Sequence, residues 1–321
     1  MPHDFPKLLG DIGGTNVRLA LKLTPEGEIG HILNLTLRDH PDAASAIEHY
    51  LQQVGAASGP MRPRTGCLGA AGPVIGDHLQ LFNAPWGFSI VGLRQALGLQ
   101  RLRVLNDFTA LALSLPHLPA SELRQVGGGE PVKGMTMGLL GAGTGLGVSG
   151  LIPTLEGHWA PIAGEGGHVS LPASNEDEER LIALLRGRYG HVSAERVLSG
   201  SGLLVLYKAH AELAGKQPNE NLSPADVTER GLSGQCPLSV AALNSFCLFM
   251  GTVASNLAVS LGAHGGLFIG GGIVPRLGDF FVRSGFRERF DAKGRYAAYL
   301  QRIPVFVIHT PYPGLIGASQ A

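Results

Sequence analysis

The sequence predicts an α/β protein, in which strands alternate with helices, arranged as two domains. Three observations support this: the order of apolar and amphipathic segments, a repeated glycine-rich motif, and a length of 321 residues, about that of two average domains. Glycine is unusually frequent, at 47 residues, but has no Gly-X-Y period. We therefore expect glycine in tight turns and where the backbone approaches another group closely.

The first half of the chain opens with strands and continues with alternating helices and strands. The first strand is apolar, the second alternates, and Asp42 is a plausible N-cap for the first helix. A further helix is expected after Asn106-Asp107. The predicted elements are strands at 8–12, 17–23 and 29–37, a helix over 42–54, a strand at 65–71, a helix over 90–97 and a strand at 102–105.

The second half of the chain restarts with strands and is then mainly helical. The segment 238–263 is apolar enough to span a bilayer, but polar residues are spread around it and no aromatic belt or basic flank accompanies it. We interpret it as a core helix. The predicted elements are strands at 135–140 and 146–152, helices over 175–188, 193–198, 202–214, 224–231 and 238–263, strands at 265–272 and 303–308, and a helix over 313–320.

Two segments share a strand, a glycine-rich turn containing Gly-Thr, and a second strand. They are LLGDIGGTNVRLAL at 8–21 and GLLGAGTGLGVSGL at 138–151, and they suggest an internal duplication. A third glycine turn, GGGIVP, occupies 270–275. Such turns let backbone N–H groups approach phosphate oxygens, although each alone could be an ordinary hairpin turn. GxxxxGK[ST] is absent, and the GxGxxG match at 145–150 lies in a predicted strand without a βαβ unit.

Charge and cysteine content exclude several classes of protein. Lys plus Arg and Asp plus Glu are 25 each, so no nucleic acid or membrane partner is expected. The three scattered cysteines indicate neither a disulfide framework nor a zinc site. The N-terminus has no apolar stretch after a basic start, so we expect a cytoplasmic protein.

Polar side chains in three segments are candidates for a functional site. Asn106 and Asp107 follow a predicted strand, where α/β sheets bind ligands, and Asp107 could alternatively be an N-cap. Glu165 and His168 lie in a glycine-rich loop; they could be metal ligands, but no third ligand is evident. Glu195 could simply favour a helix N-terminus.

These motifs together resemble the bacterial glucokinase family, within the superfamily of ribonuclease H-like sugar kinases, Hsp70 and actin. The resemblance covers nearly the whole chain, and the zinc element CxCGxxGC of the related repressor and kinase group is missing. The matching segments are GDIGGTNVRLAL at 10–21, NAPWGFSI at 83–90, NDFTALAL at 106–113, GAGTGLGV at 141–148, GEGGHVS at 164–170, GHVSAERVLSGSGL at 190–203, GGIVPR at 271–276 and PGLIGA at 313–318.

The resemblance implies two ribonuclease H-like (actin-like ATPase) domains with a central cleft, one formed by 1–117 with 308–321 and the other by 118–307. It implies ATP-dependent phosphorylation of glucose to glucose 6-phosphate, with Mg²⁺, and a homodimer. The domains should close around glucose and exclude water. Phosphoryl transfer needs mainly positioning and charge neutralisation, which fits this set of residues.

The resemblance also assigns individual residues. Asp107 matches the catalytic base, and Asp11 could hold Mg²⁺ through water. The matches to sugar ligands are Asn106, Asp107, Glu165, His168 and Glu195. The matches to ATP-binding positions are Gly10, Asp11, Ile12, Gly13, Gly14, Thr15, Gly143, Thr144, Gly145, Gly271 and Gly272.

Three other functions remain open. A kinase for fructose, mannose or an amino sugar would differ only in the positions of its loops. A sugar-responsive transcriptional repressor would need a helix-turn-helix before the first strand, which already begins near Leu8. An ATPase scaffold of the actin or Hsp70 kind would lack the EGGH and HVSAERV segments found here.

Overall fold

The chain folds into two units. The computed structural model describes residues 4–72, 74–81 and 86–321, so the first residues of the NAPWGFSI motif lie outside the described ones. The first unit consists of Met1–Pro119 together with Thr310–Ala321, and the second is Ala120–His309. The division predicted from sequence places these boundaries after residues 117 and 307.

The secondary structure of both units alternates strands and helices. The strands are β1 (Lys7–Ile12), β2 (Asn16–Lys22), β3 (Ile29–Thr36), β4 (Thr65–Ala70), β5 (Val74–Ile75), β6 (His78–Gln80), β7 (Gly87–Ser89), β8 (Arg101–Asn106), β9 (Leu123–Val126), β10 (Met137–Ala142), β11 (Leu146–Pro153), β12 (Trp159–Ile162), β13 (Leu267–Gly270) and β14 (Val305–Ile308). The helices are α1 (Ala43–Gln53), α2 (Ile90–Ala96), α3 (Asp107–Ser114), α4 (Glu176–Tyr189), α5 (Ala194–Val197), α6 (Gly200–Leu213), α7 (Pro224–Leu232), α8 (Pro237–Leu261), α9 (Ile273–Leu277), α10 (Asp279–Arg283), α11 (Phe286–Asp291), α12 (Ala297–Gln301) and α13 (Pro313–Gln320).

The first unit is built on a five-stranded sheet of order β3-β2-β1-β4-β8. β1, β2 and β3 are antiparallel neighbours, whereas β1, β4 and β8 run parallel. β1 and β4 are almost wholly buried, as their apolar sequences predict for strands covered on both faces. Asp42 precedes α1 and its side chain accepts the Ser45 N–H, so the predicted N-cap is confirmed.

The second unit repeats this arrangement. Its sheet has the order β12-β11-β10-β13-β14-β9, with β10, β11 and β12 antiparallel and β10, β13 and β14 parallel. The antiparallel strand β9 extends the sheet at one edge. The two predicted segments of strand, glycine turn and strand are confirmed as the hairpins β1–β2 and β10–β11.

The longest helix, α8, lies in the core of the second unit. Phe246 and Met250 on this helix are fully buried, and α6, α7 and α11 pack against it. It is the one described helix long and apolar enough to cross a membrane, and 67% of its most apolar stretch is buried inside the protein. The interpretation of this segment as a core helix is thus confirmed.

Within each unit, the parallel strands bring distant motifs to one sheet edge. In the first unit, Ile12 at the end of β1 pairs with Ala70, which pairs in turn with Asn106 at the end of β8. In the second unit, Gly141 of β10 pairs with Gly270 at the end of β13. The glycine turns and the acidic residues that follow the strands therefore collect at the carboxyl edges of the sheets.

Candidate active site

The glycine turn of the first unit connects β1 to β2. Gly10 lies inside β1, and a Cβ there would lie 2.5 Å from Leu68 Cδ2, so a side chain at this position would crowd the core. Ile12 is fully buried in the core. The turn itself comprises Gly13, Gly14 and Thr15, and is closed by a hydrogen bond from Gly13 N–H to the Asn16 carbonyl at 2.9 Å.

Asp11 lies at the end of β1 beside this turn. Arg18, its cross-strand partner, donates from Nη1 to Asp11 Oδ2 at 3.1 Å. Burial raises the pKa of Asp11 above its ordinary value, and the neighbouring guanidinium partly opposes the shift. Gly314 at the start of α13 is close enough that a Cβ there would contact Asp11 Cγ at 3.6 Å.

Asn106 and Asp107 form the junction between β8 and α3. The Asn106 Oδ1 accepts the Phe108 N–H at 2.9 Å and the Thr109 N–H at 3.2 Å, so Asn106 is the N-cap of α3. The alternative interpretation of Asp107 as the N-cap is therefore wrong, because Asp107 is the first residue of the helix. Its Oδ1 accepts the Phe108 N–H at 2.9 Å, and the side chain is half-buried.

The end of β10 meets the glycine turn at 270–272 at the sheet edge of the second unit. A Cβ at Gly141 would lie 2.5 Å from the carbonyl carbon of Gly270. Gly271 has a φ of 77°, and a Cβ there would overlap the carbonyl oxygen of Ala142. The end of β10 and the turn at 270–272 thus contact each other through backbone atoms, which requires glycine at 141 and 271. Thr144, Gly271 and Gly272 are exposed at this edge.

The EGGH segment packs on β11. A Cβ at Gly166 would lie 2.7 Å from Val148 Cγ1, and a Cβ at Gly167 would overlap the Leu146 carbonyl oxygen. These close approaches hold a short turn of 3₁₀ helix, from which the side chains of Glu165 and His168 are exposed.

Glu195 belongs to the same cluster in the second unit. It lies in the first turn of α5, which Ser193 caps and which Ala194 N–H ties to the Val169 carbonyl at 2.9 Å. The Oε2 of Glu195 accepts the Leu146 N–H at 2.9 Å, so this acid contacts the residue after the glycine turn. The fold therefore brings Glu165, His168 and Glu195 together around the start of β11.

The described side chains form no ready-made metal site. Across residues 4–72, 74–81 and 86–321, no group of three or more His, Cys, Asp or Glu side chains is placed to hold a metal ion. The alternative of a metal site at Glu165 and His168 thus gains no support. Mg²⁺ in kinases is usually held by one or two carboxylates together with substrate phosphates. The single carboxylate of Asp11, beside a glycine turn, fits that pattern.

A family profile, two curated relatives and a solved structure similar to this chain are all named glucokinase, and each match covers nearly the whole chain. The glucokinase family profile matches residues 8–321. The glucokinases of Aromatoleum aromaticum and Chromobacterium violaceum are 50% and 49% identical, each over 99% of this chain and over 94% and 90% of their own lengths. A crystal structure of a glucokinase from an Antarctic psychrotroph, 35% identical, superimposes with a TM-score of 0.88 over 98% of this chain and 97% of its own.

The fold and these matches indicate that the protein is a sugar kinase of mixed α/β architecture. The chain belongs to the glucokinase family.

Two groups at these sheet edges were not among the predicted site residues: the Arg18 side chain and the Leu146 N–H. Arg18 could have been found from the register of the predicted hairpin, because it pairs with Asp11 across β1 and β2. The contact of Glu195 with the Leu146 N–H joins residues 49 positions apart and has no local signal in the sequence.

Proposed function

We propose that this protein transfers the γ-phosphoryl group of ATP to the 6-hydroxyl of D-glucose. The observation that carries the proposal is the sheet edge of the first unit, where Asp107 follows β8, and Asp11 and the glycine turn at 13–15 lie at the end of β1. A carboxylate base and a phosphate-binding turn at one edge are what phosphoryl transfer to a sugar hydroxyl requires. The membership of the chain in the glucokinase family supports glucose and ATP as its substrates.

Asp107 is proposed as the general base. Its carboxylate would accept the proton of the glucose 6-hydroxyl while that oxygen forms a bond to the γ-phosphorus and the bond from phosphorus to the ADP oxygen breaks. The bond from Phe108 N–H fixes one carboxylate oxygen, which orients the side chain from the first turn of α3. Asn106 would orient the sugar through its amide NH₂, because its Oδ1 already caps the helix.

The other residues are assigned by the same family resemblance. Glu165 and Glu195 would accept hydrogen bonds from the remaining sugar hydroxyls, and His168 would accept or donate one. Gly271 and Gly272 would lie near the adenosine. The residues proposed to hold the phosphates are Gly10, Asp11 and Ile12 at the end of β1, and the turn residues Gly13, Gly14, Thr15, Gly143, Thr144 and Gly145.

Asp11 is the residue that would hold Mg²⁺, through water. The ion, when bound, would neutralise the negative charge that develops on the transferring phosphoryl group. The raised pKa of Asp11 reflects the burial of its carboxylate, which a bound cation would compensate.

Each unit is further proposed to be a ribonuclease H-like domain. The support is the strand order shared by both, three antiparallel strands followed by two parallel ones. The central cleft, the homodimer and the cytoplasmic location stay predictions. Small-angle scattering with and without glucose tests closure, and light scattering of the purified protein tests the dimer.

A sugar panel tests the proposed function. The purified protein is incubated with Mg-ATP and glucose, mannose, fructose or N-acetylglucosamine at matched concentrations, and ADP release is followed. We expect glucose to give the highest kcat/KM. A different preferred sugar would keep the kinase assignment and overturn the substrate. A folded protein that phosphorylates none of them would overturn the function.

A further inference from the structure

Gly145 in the second glycine turn directly abuts the side chain of Glu195. A Cβ at Gly145 would lie under 3.0 Å from Glu195 Oε2, and 3.2 Å from its Cδ. The backbone of Gly145 does not have the left-handed φ that favours glycine. The absence of a side chain at this position is therefore explained by the space that the Glu195 carboxylate occupies.

Gly143, two residues earlier, has different surroundings. A Cβ at Gly143 would meet nothing within 4 Å, and its φ is not left-handed either. The two glycines of one turn thus differ in what they accommodate. Gly143 leaves open space at the turn, whereas Gly145 makes room for an acid from another segment.

The turn and the segment that carries Glu195 are joined at both ends. Gly200 N–H donates to the Gly143 carbonyl at 2.8 Å, and the Leu146 N–H donates to Glu195 Oε2 at 2.9 Å. Within the turn, Gly143 N–H donates to the Gly145 carbonyl at 2.8 Å. The half-buried Glu195 side chain is consequently held by the Leu146 N–H, which directly follows the glycine turn.

We infer that Gly145 and the Leu146 N–H are positioning groups for sugar recognition. They hold the Glu195 carboxylate by one oxygen, and the other oxygen can accept a sugar hydroxyl, because an ionised carboxylate accepts several hydrogen bonds. This inference rests on the proposed function, in which Glu195 binds glucose. It assigns Gly145 to the sugar, in addition to the phosphate role that its motif implies.

Matched substitutions of the two glycines test this inference. In Gly145→Ala the new methyl group must displace the far end of a flexible side chain, so the fold should be kept while the carboxylate moves. We expect the glucose Kd, measured by calorimetry without nucleotide, to rise about 10-fold or more, the effect of losing a hydrogen bond to a charged group. Gly143→Ala should leave the glucose Kd within about 2-fold, whatever it does to the KM for ATP.

A double substitution separates positioning from a general disturbance of the turn. If Gly145→Ala acts through Glu195, it should raise the KM for glucose when Glu195 is present. In the Glu195→Ala background it should cause no further rise in this KM. Circular dichroism and thermal unfolding of all variants check that the fold is kept.

Two results would overturn the inference alone. One is that the wild type binds glucose and that Gly145→Ala binds it with the same affinity. The other is an equal loss from Gly145→Ala in both backgrounds. A folded wild type that binds no glucose would instead overturn the proposed function, and this inference with it.

Discussion

The turns β1–β2 and β10–β11 occupy equivalent places in two sheets of the same strand order, yet they are built differently. The first has a charged residue beside it, Asp11, which is paired with Arg18. The second is packed against other segments: Gly141 and Gly271 beside it meet backbone atoms, and Gly145 meets the Glu195 carboxylate. A shared hairpin has thus been adapted once for an ion pair between its own strands and once for close contact with other segments, although both sequences contain Gly-Thr.

The largest effect is expected from Asp107→Asn, which removes the proposed base from the sheet edge of the first unit. The amide oxygen can still accept the Phe108 N–H, so the start of α3 should be kept. We expect kcat for glucose phosphorylation to fall about 10²–10⁴-fold, because no carboxylate takes the proton. Steady-state assays give kcat, and glucose titration checks binding. A variant that keeps more than a tenth of the activity would exclude Asp107 as the base.

The second prediction concerns the tightly packed edge. Gly271→Ala places a side chain at a φ of 77° and against the Ala142 carbonyl, so we expect the free energy of unfolding to fall by about 2 kcal/mol or more. Gly143→Ala, whose Cβ meets open space, should change it by less than about 0.5 kcal/mol. Urea unfolding measures both, and equal values would show that close packing does not distinguish these glycines.

The third prediction concerns Mg²⁺ at the first turn. Asp11→Asn removes the carboxylate, and we expect the Mg²⁺ concentration for half-maximal activity to rise about 10-fold. Arg18→Gln removes only the ion-pair partner and should not raise it, because the carboxylate stays. Activity is measured across a series of Mg²⁺ concentrations at fixed ATP, and unchanged Mg²⁺ dependence in Asp11→Asn would contradict the assignment.

The smallest effect is the pH dependence that Asp11 gives to stability. Burial raises its pKa in the folded state, so this group binds more protons in the folded than in the unfolded chain between the two pKa values. Its contribution to stability is therefore present at acidic pH and lost as pH rises through the raised pKa. Relative to Asp11→Asn, the wild type should lose stability over that interval. Urea unfolding from pH 3 to pH 8 tests the sign, and a relative gain would contradict it.

Most long elements could be predicted from the sequence, because they show periodicity or continuous apolar runs. The strands β5 to β7, β9 and β12 were missed, since two to four residues are too few to show alternation. The helices α9 to α12 have only five or six residues each and show no helical period.

The candidate site was predictable as a set of residues and not as a set of contacts. Local motifs contain Asp107, Glu165 and Glu195, and the resemblance connects them. The pairing of Gly141 with Gly270 and the contact of Glu195 with Leu146 depend on strand order and on how segments pack. Neither has a signature within a window of adjacent residues.

The position of α13 in the chain has a consequence for synthesis on the ribosome. This helix joins the first unit only after the whole second unit has been translated, and it packs against α3 where Gly317 meets the Ala110 carbonyl. Its Gly314 also lies beside Asp11. Although β1 is translated before the second unit, the surroundings of Asp11 are completed only by α13, which is translated after it. The second unit can fold earlier, as an uninterrupted segment.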